Sequence, residues 1–217
     1  MKPYYQDESV TIYNADCRDV LPELNKVDLL LTDPPYGIGE AKGKNKSRGN
    51  LAISKDYGSD DWDNEPIELV LLDKLRDKCR TQIIFGGNYY DLPPTSCWLI
   101  WDKVNGLTDF ADCEMAWTNM KKATRLYRYQ WQGMLQENMK NKEIRFHPTQ
   151  KPVPLMKWCI GKVDTEVNTI LDPFMGSGTT LRAAKDLGKK AIGIEISEEY
   201  CEIAAKRMGQ SVMSLGV

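Results

Sequence analysis

At 217 residues the chain is long enough for one large domain and too short for two full ones. A net charge of −2 provides no global field that would gather nucleic acid, so any such binding must come from local basic patches. Six scattered cysteines without a C-x-x-C pair, a single histidine, no apolar signal core in the first ten residues and no apolar run of ~18 residues argue against a metal site, a disulfide framework and a membrane span. A soluble, cytoplasmic, metal-free protein is expected.

Thr11 to Asp16 alternates like a short strand, and Asp16 is placed to cap a helix running from Cys17 through Leu21 and Leu24. Val27 to Leu31, broken only by Asp28, reads as a buried strand of a parallel sheet that Pro34-Pro35 stops. Asp33 is then displayed at a strand's carboxyl end, where open α/β sheets bind ligands. The two prolines stiffen Asp33, Pro34, Pro35 and Tyr36 into a tripod suited to a planar polar ligand; the plainer alternative is a strand ending in a proline turn. From Gly37 to Asn64, repeated glycines interrupt any periodicity and predict a long loop. Its first half carries Lys42, Lys44, Lys46 and Arg48, which read either as solvated surface or as a mobile flap touching phosphates.

Pro66 suits the first turn of a helix whose face would be Ile67, Val70, Leu71, Lys74 and Leu75, lasting to about Cys79. Gln82 to Phe85 reads as a strand closed by Gly86-Gly87, and Cys97 to Trp101 and Glu114 to Trp117 as two more. Between Asn119 and Arg145, seven basic residues face two acids and alternate with Tyr127, Tyr129 and Trp131. That mixture favours nucleic-acid contact through Lys121, Lys122, Arg125 and Arg128; the alternative is an edge hairpin whose cations protect an open strand. His147-Pro148-Thr149-Gln150-Lys151-Pro152 opens a helix with a core face of Val153, Leu155, Met156, Cys159 and Ile160. Thr169 to Asp172 predicts a strand leading into Pro173-Phe174-Met175-Gly176-Ser177-Gly178, with a helix from Thr179 to about Leu187. Lys189 to Ile194 is the next strand, ending in Glu195, and Glu198 to Met208 the closing helix.

A Gly-x-Gly turn between strand and helix lets a ligand approach the backbone, and an acidic residue ending the following strand, Glu195, is placed to hold ribose hydroxyls. A nucleoside-bearing cofactor follows. Leu181 stands where a dinucleotide fingerprint wants a third small residue, and no lysine follows the loop as a triphosphate site requires. S-adenosylmethionine fits best, because one ribose and one carboxylate then need binding and no pyrophosphate does.

The order Asp-Pro-Pro-Tyr, basic middle segment, His-Pro-Thr-Gln-Lys-Pro, Asp-Pro-Phe-Met-Gly-Ser-Gly-Thr-Thr resembles the amino-directed DNA methyltransferases of the beta arrangement over roughly Thr11 to Met208. The resemblance implies an α/β fold: a Rossmann-like, seven-stranded mixed sheet with helices on both faces, in circularly permuted order, the catalytic half preceding the cofactor half. It implies that Asp172, Phe174, Gly176 and Gly178 line the methionine end, that Glu195 takes the ribose, that Asp16 and Cys17 contact the adenine, and that Thr149 and Lys151 take the carboxylate. Residues 1–217 are expected to form a single methyltransferase domain, with a flexible loop at about 37–64 and a small target-recognition insertion at about 119–146.

The expected reaction is methyl transfer to N6 of an adenine flipped out of double-stranded DNA, with Asp33 and the Pro34 carbonyl accepting from the amine and Tyr36 stacking on the base. Cytosine N4 methylation is the runner-up, since enzymes resembling that group more often have serine in place of Asp33. A catalytically silent DNA-binding subunit is the rival from another class. The basic segments offer only the area of one recognition module, about 600–1,000 Å², so either a homodimer or a loosely defined site is expected, and the dimer is favoured.

Overall fold

The computed structural model describes residues 1–37, 66–106, 111–132, 135–146 and 150–210. The predicted loop from Gly37 to Asn64, with Lys42, Lys44, Lys46 and Arg48, lies outside the described residues apart from Gly37 itself, and so does Thr149.

Chain order begins with β1 (Tyr5–Gln6), β2 (Val10–Asn14), α1 (Cys17–Val20) and β3 (Val27–Thr32). It continues with α2 (Leu69–Asp77), β4 (Cys79–Phe85), β5 (Trp98–Asp102), β6 (Cys113–Thr118) and β7 (Arg125–Arg128). A short hairpin of β8 (Trp131–Gln132) and β9 (Leu135–Gln136) precedes α3 (Val153–Ile160), β10 (Thr169–Asp172), α4 (Thr179–Asp186), β11 (Lys190–Glu195) and α5 (Glu198–Gly209). Among the described residues one mixed sheet of nine strands runs β1-β2-β11-β10-β3-β4-β6-β5-β7. Seven strands are expected from the resemblance; the sheet carries a two-residue strand, β1, at one edge and β7 at the other. β2, β11, β10, β3 and β4 are mutually parallel, and β6 runs against its neighbours on both sides.

Period-two alternation decides which face each side chain joins. Leu29 and Leu31 pack with Leu155, Leu181 and Ala204 from α3, α4 and α5, while Leu30 points to the other face, against Val20, Leu72 and Leu75 from α1 and α2. Helices therefore cover both faces, and β3 reads as a continuous apolar run because both of its faces are buried. Asp28, the one break in that run, sits where the strand begins and accepts at 3.0 Å from Asn168 N, Thr169 N and Thr169 Oγ1, tying β3 to the start of β10.

Several boundaries move for local reasons. Asp16 caps α1 through Arg18 N at 2.8 Å, but Pro22 turns the rest of the predicted helix into a single 3-10 turn over Leu21–Glu23. The second helix begins at Leu69, not at Pro66, and buries Leu71, Leu72 and Leu75 while Val70 stays 64% exposed. Pro66 instead forms an isolated antiparallel bridge with Tyr36.

Candidate active site

β3 and β10 are neighbours at the middle of the sheet, yet the chain leaves β3 towards β4 on one side and β10 towards β11 on the other. Such a switch point opens a crevice beyond the strands' carboxyl ends. Thr32 Oγ1 donates to Asp172 Oδ1 at 2.9 Å and ties the two strand ends together at the crevice floor. Above it lies a cavity of about 530 Å³ whose lining includes Asp16, Cys17, Asp33, Pro35, Lys151, Asp172, Phe174, Gly176 and Glu195. The first and last thirds of the chain thus meet in one place.

The glycine loop is fastened from three sides. Glu195 accepts from Gly176 N at 3.0 Å and from Ser197 N at 2.9 Å, so β11 holds the turn that follows β10. Burial raises the Glu195 carboxyl above its ordinary value, and those two N–H groups oppose the rise. From below, Arg207 of α5 donates to Ser177 O at 2.6 Å and to Ser177 Oγ at 3.1 Å, with its guanidinium lowered to about 10 by burial. From the side, Gln150 accepts from Ser177 Oγ at 3.1 Å and from Phe146 N at 2.9 Å, while its own carbonyl receives Trp131 Nε1 at 3.1 Å. Gly178 departs from expectation: it lies outside the cavity lining, at φ +79°, where an added Cβ would come 2.8 Å from the Ala204 Cβ. It is there to let α4 pack on α5.

Asp172 is 4% exposed and accepts from Thr32, Thr180 and Phe174 N, but burial dominates and raises its carboxyl to about 7. Cys17, buried beside Asp16, keeps a neutral thiol because burial pushes it up to about 11.

The Asp33 end of the cavity is rigid. Tyr36 OH donates to Asp33 Oδ1, Lys151 Nζ lies 2.5 Å from Asp33 Oδ2, and Tyr90 OH donates to the Pro35 carbonyl. The Tyr36 ring stacks on Tyr89 with centroids 5.0 Å apart. Asp33 keeps 22% of its side chain accessible and lines the cavity, so its remaining acceptor capacity faces the space a ligand would fill. Burial raises its carboxyl, Lys151 opposes that, and Glu114 adds to it. Lys151 is the second departure: it borders the cavity, but its ammonium is committed to Asp33 and, at 3.0 Å, to Glu114.

The expected DNA-contact cations separate. Because β6 is antiparallel to β4, its end and the start of β7 lie at the edge of the sheet opposite the cavity. Lys121, Lys122 and Arg125 are there, and Lys122 is bound to Lys162 O and, at 2.8 Å, to Asp164. Among the described ones only Arg128 stands on the cavity's edge, paired with Asp102 at 3.0 Å and four strand spacings from β3, roughly 19 Å. The aromatics expected beside these cations face inward: Tyr127 stacks on Trp158 at 5.1 Å, and Trp131 is 6% exposed. β7 is an edge strand parallel to β5 and not an arm of an edge hairpin. Sequence reasoning also passed over Gln150, Glu114, Lys103 and Arg207; a buried charge looks like any surface charge until the partner is known.

A family model described as DNA methylase, covering N6 and N4 enzymes, matches residues 88–206, more than half of the chain. The chain belongs to that family. Type II methyltransferase M2.LlaDCHI of Lactococcus lactis subsp. cremoris is 29% identical over 96% of this methylase and 93% of its own length. M2.DpnII of Streptococcus pneumoniae, another Type II methyltransferase, is 29% identical over 95% and 92%. Among solved structures, the M1.HpyAVI–S-adenosylmethionine complex shares 25% identity with this methylase at a TM-score of 0.59, covering 93% of it and all of the other chain. The cytosine-N4-specific PvuII methyltransferase has the same fold at 18% identity, with a TM-score of 0.63 and coverage of 98% and 91%. Among the described residues no helix is long and apolar enough to cross a membrane, and no cluster of His, Cys, Asp and Glu could hold a metal ion.

Proposed function

We propose that this DNA methylase transfers a methyl group to the N6 amine of an adenine flipped out of double-stranded DNA. The observation that carries the reading is the placement of Asp33, a partly buried acceptor at the carboxyl end of β3, in one cavity with the glycine loop and Glu195. S-adenosylmethionine is the cofactor, and when bound it supplies an electrophilic methyl group on a sulfonium. The residues present fit it: the cavity is of ligand size, and the backbone at Gly176 can be approached closely. The Glu195 carboxylate, with lone pairs beyond those used by Gly176 and Ser197, would hold ribose hydroxyls. Asp16 and Cys17 would border the adenine, and Asp172, Phe174 and Gly176 the methionine end.

The exocyclic amine of adenine is a poor nucleophile because its lone pair is delocalised into the ring. Asp33, with the Pro34 carbonyl as second acceptor, would draw the amine's hydrogens and return that lone pair to nitrogen. Tyr36, backed by Tyr89, offers a ring on which the base would stack. We read the chain as one methyltransferase domain in permuted order. With Lys121, Lys122 and Arg125 at the far edge, Arg128 and the Lys42, Lys44, Lys46 and Arg48 stretch are the remaining expected phosphate contacts, which strengthens the case for a homodimer adding a second DNA-binding surface.

Unmethylated duplex DNA incubated with the protein and S-adenosylmethionine, digested and analysed by mass spectrometry, should yield N6-methyladenine, and Asp33→Ala should abolish it while retaining cofactor binding. N4-methylcytosine would replace the adenine assignment. DNA binding without any methylated base would leave a silent subunit.

A further inference from the structure

The charges beside Asp33 alternate along the carboxyl edge of the sheet. Lys151, 6% exposed, bridges Asp33 at 2.5 Å and Glu114 at 3.0 Å, and Lys103 closes the row on the other oxygen of Glu114. The antiparallel course of β6 is what brings its first turn of chain, with Glu114, to the edge where β3 ends. Neither Glu114 nor Lys103 lines the cavity, so neither is placed to touch base or cofactor. Burial alone would raise the Glu114 carboxyl, but Lys151 and Lys103 hold it at about 2, so it stays ionised. Two anions and two cations therefore stand in a neutral row.

We propose that Glu114 is a positioning residue for methyl transfer, setting through Lys151 how strongly Asp33 accepts hydrogen bonds from the target amine, with Lys103 as the counterweight on Glu114. The inference rests on Asp33 acting on the base. A lysine paired with Asp33 alone would draw that carboxylate's charge away from the amine. Sharing the ammonium with Glu114 leaves more charge on Asp33, while Lys103 keeps Glu114 from capturing Lys151 outright. Among the described residues, the other titratable groups facing Asp33 are Tyr36, which donates to its Oδ1, and Asp172 of β10, whose own carboxyl is raised by burial and by the Asp33 charge; Tyr90 lies behind, on the Pro35 carbonyl. The Phe85 ring, its centroid 5.5 Å from Lys151 Nζ, adds a cation–π contact to the ammonium.

The test is the pH profile of kcat/KM for the enzyme and two variants that leave the Asp33–Lys151 contact in place. Glu114→Gln removes a negative charge from behind Lys151 and should move the acid limb down by about one pH unit; Lys103→Met unmasks that charge and should move the limb up by a comparable amount. Calorimetric affinity for S-adenosylmethionine should stay within about twofold of wild type in both, because neither residue borders the cavity. Opposite displacements support the inference, and displacements of one sign or none overturn it. Should Glu114→Gln fail to fold, Lys103→Met at the more accessible end decides alone, since an unmoved acid limb there also overturns it. Asp33→Ala run in parallel separates the two levels: retained transfer removes the reading of Asp33 and the inference with it, whereas an inactive Asp33→Ala beside unmoved limbs removes only the role of Glu114.

Discussion

Gly86 carries the sharpest prediction about how the site is held. It follows β4 at φ +64°, and an ideal Cβ there would lie 2.0 Å from Tyr36 Cε1 and 2.4 Å from Cζ. The Tyr36 ring is also stacked on Tyr89, which limits its retreat. In Gly86→Ala the left-handed backbone alone costs about 1–2 kcal/mol. Overpacking adds about 1–3 kcal/mol, because the ring must withdraw by roughly 1.5 Å to regain an ordinary carbon–carbon contact. At about 2–4 °C per kcal/mol for a domain of this size, thermal unfolding should drop by roughly 5–15 °C. The same displacement carries the Tyr36 hydroxyl off Asp33, and kcat should fall about 100-fold while cofactor affinity holds, since Gly86 does not line the cavity. Gly188→Ala is the control, with φ +66° and nothing within 4 Å of an added Cβ; it should lose only the backbone component and keep full turnover. Melting curves and single-turnover kinetics on both variants check this. A Gly86→Ala enzyme that matched Gly188→Ala in melting and turned over at the wild-type rate would refute the coupling of Gly86, Tyr36 and Asp33.

Glu195→Ala removes the acceptor of Gly176 N and Ser197 N along with the expected ribose contact, and S-adenosylmethionine should bind about 10- to 100-fold more weakly by calorimetry; unchanged affinity would remove Glu195 from the cofactor site. Asp172, raised to about 7, binds its proton more tightly in the folded chain than in the unfolded one. Its contribution is present below about pH 4 and is lost as pH rises through about 7, on the order of a few kcal/mol. Asp172→Asn lacks that dependence, so the wild-type minus variant difference in urea stability should shrink between pH 5 and pH 8 by that order; parallel profiles would contradict the raised value. Leu30→Ala, at a side chain 0% exposed between β3 and α2, should cost about 2–5 kcal/mol in the same urea assay, and a loss below 1 kcal/mol would mean that face of the sheet is loosely packed.

Local chemistry determined much of this protein before any long-range contact was known. The apolar run into Asp33-Pro34-Pro35, the strand entering the glycine turn and the acidic end of the next strand all appear where expected, because hydrophobic period, proline and glycine act over a few residues. The α3 core face of Leu155, Met156, Cys159 and Ile160 was legible for the same reason, being a 3.6-residue repeat that needs no partner to be read.

Tertiary structure alone decided where charges and edges went. Lys151 reads as a cation beside a cofactor motif, and its true neighbours are Asp33, 118 residues away at the end of β3, and Glu114, on a separate antiparallel strand. Lys121 and Arg125 look like companions of Arg128, yet the antiparallel turn from β6 into β7 sends them to the opposite edge of the sheet. Tyr127, Tyr129 and Trp131 look like a base-stacking strip, and α3 with Gln150 draws them inward. Electrostatic partners are chosen by proximity in space, and proximity is set by strand order, a property of the whole sheet that no short stretch of residues encodes.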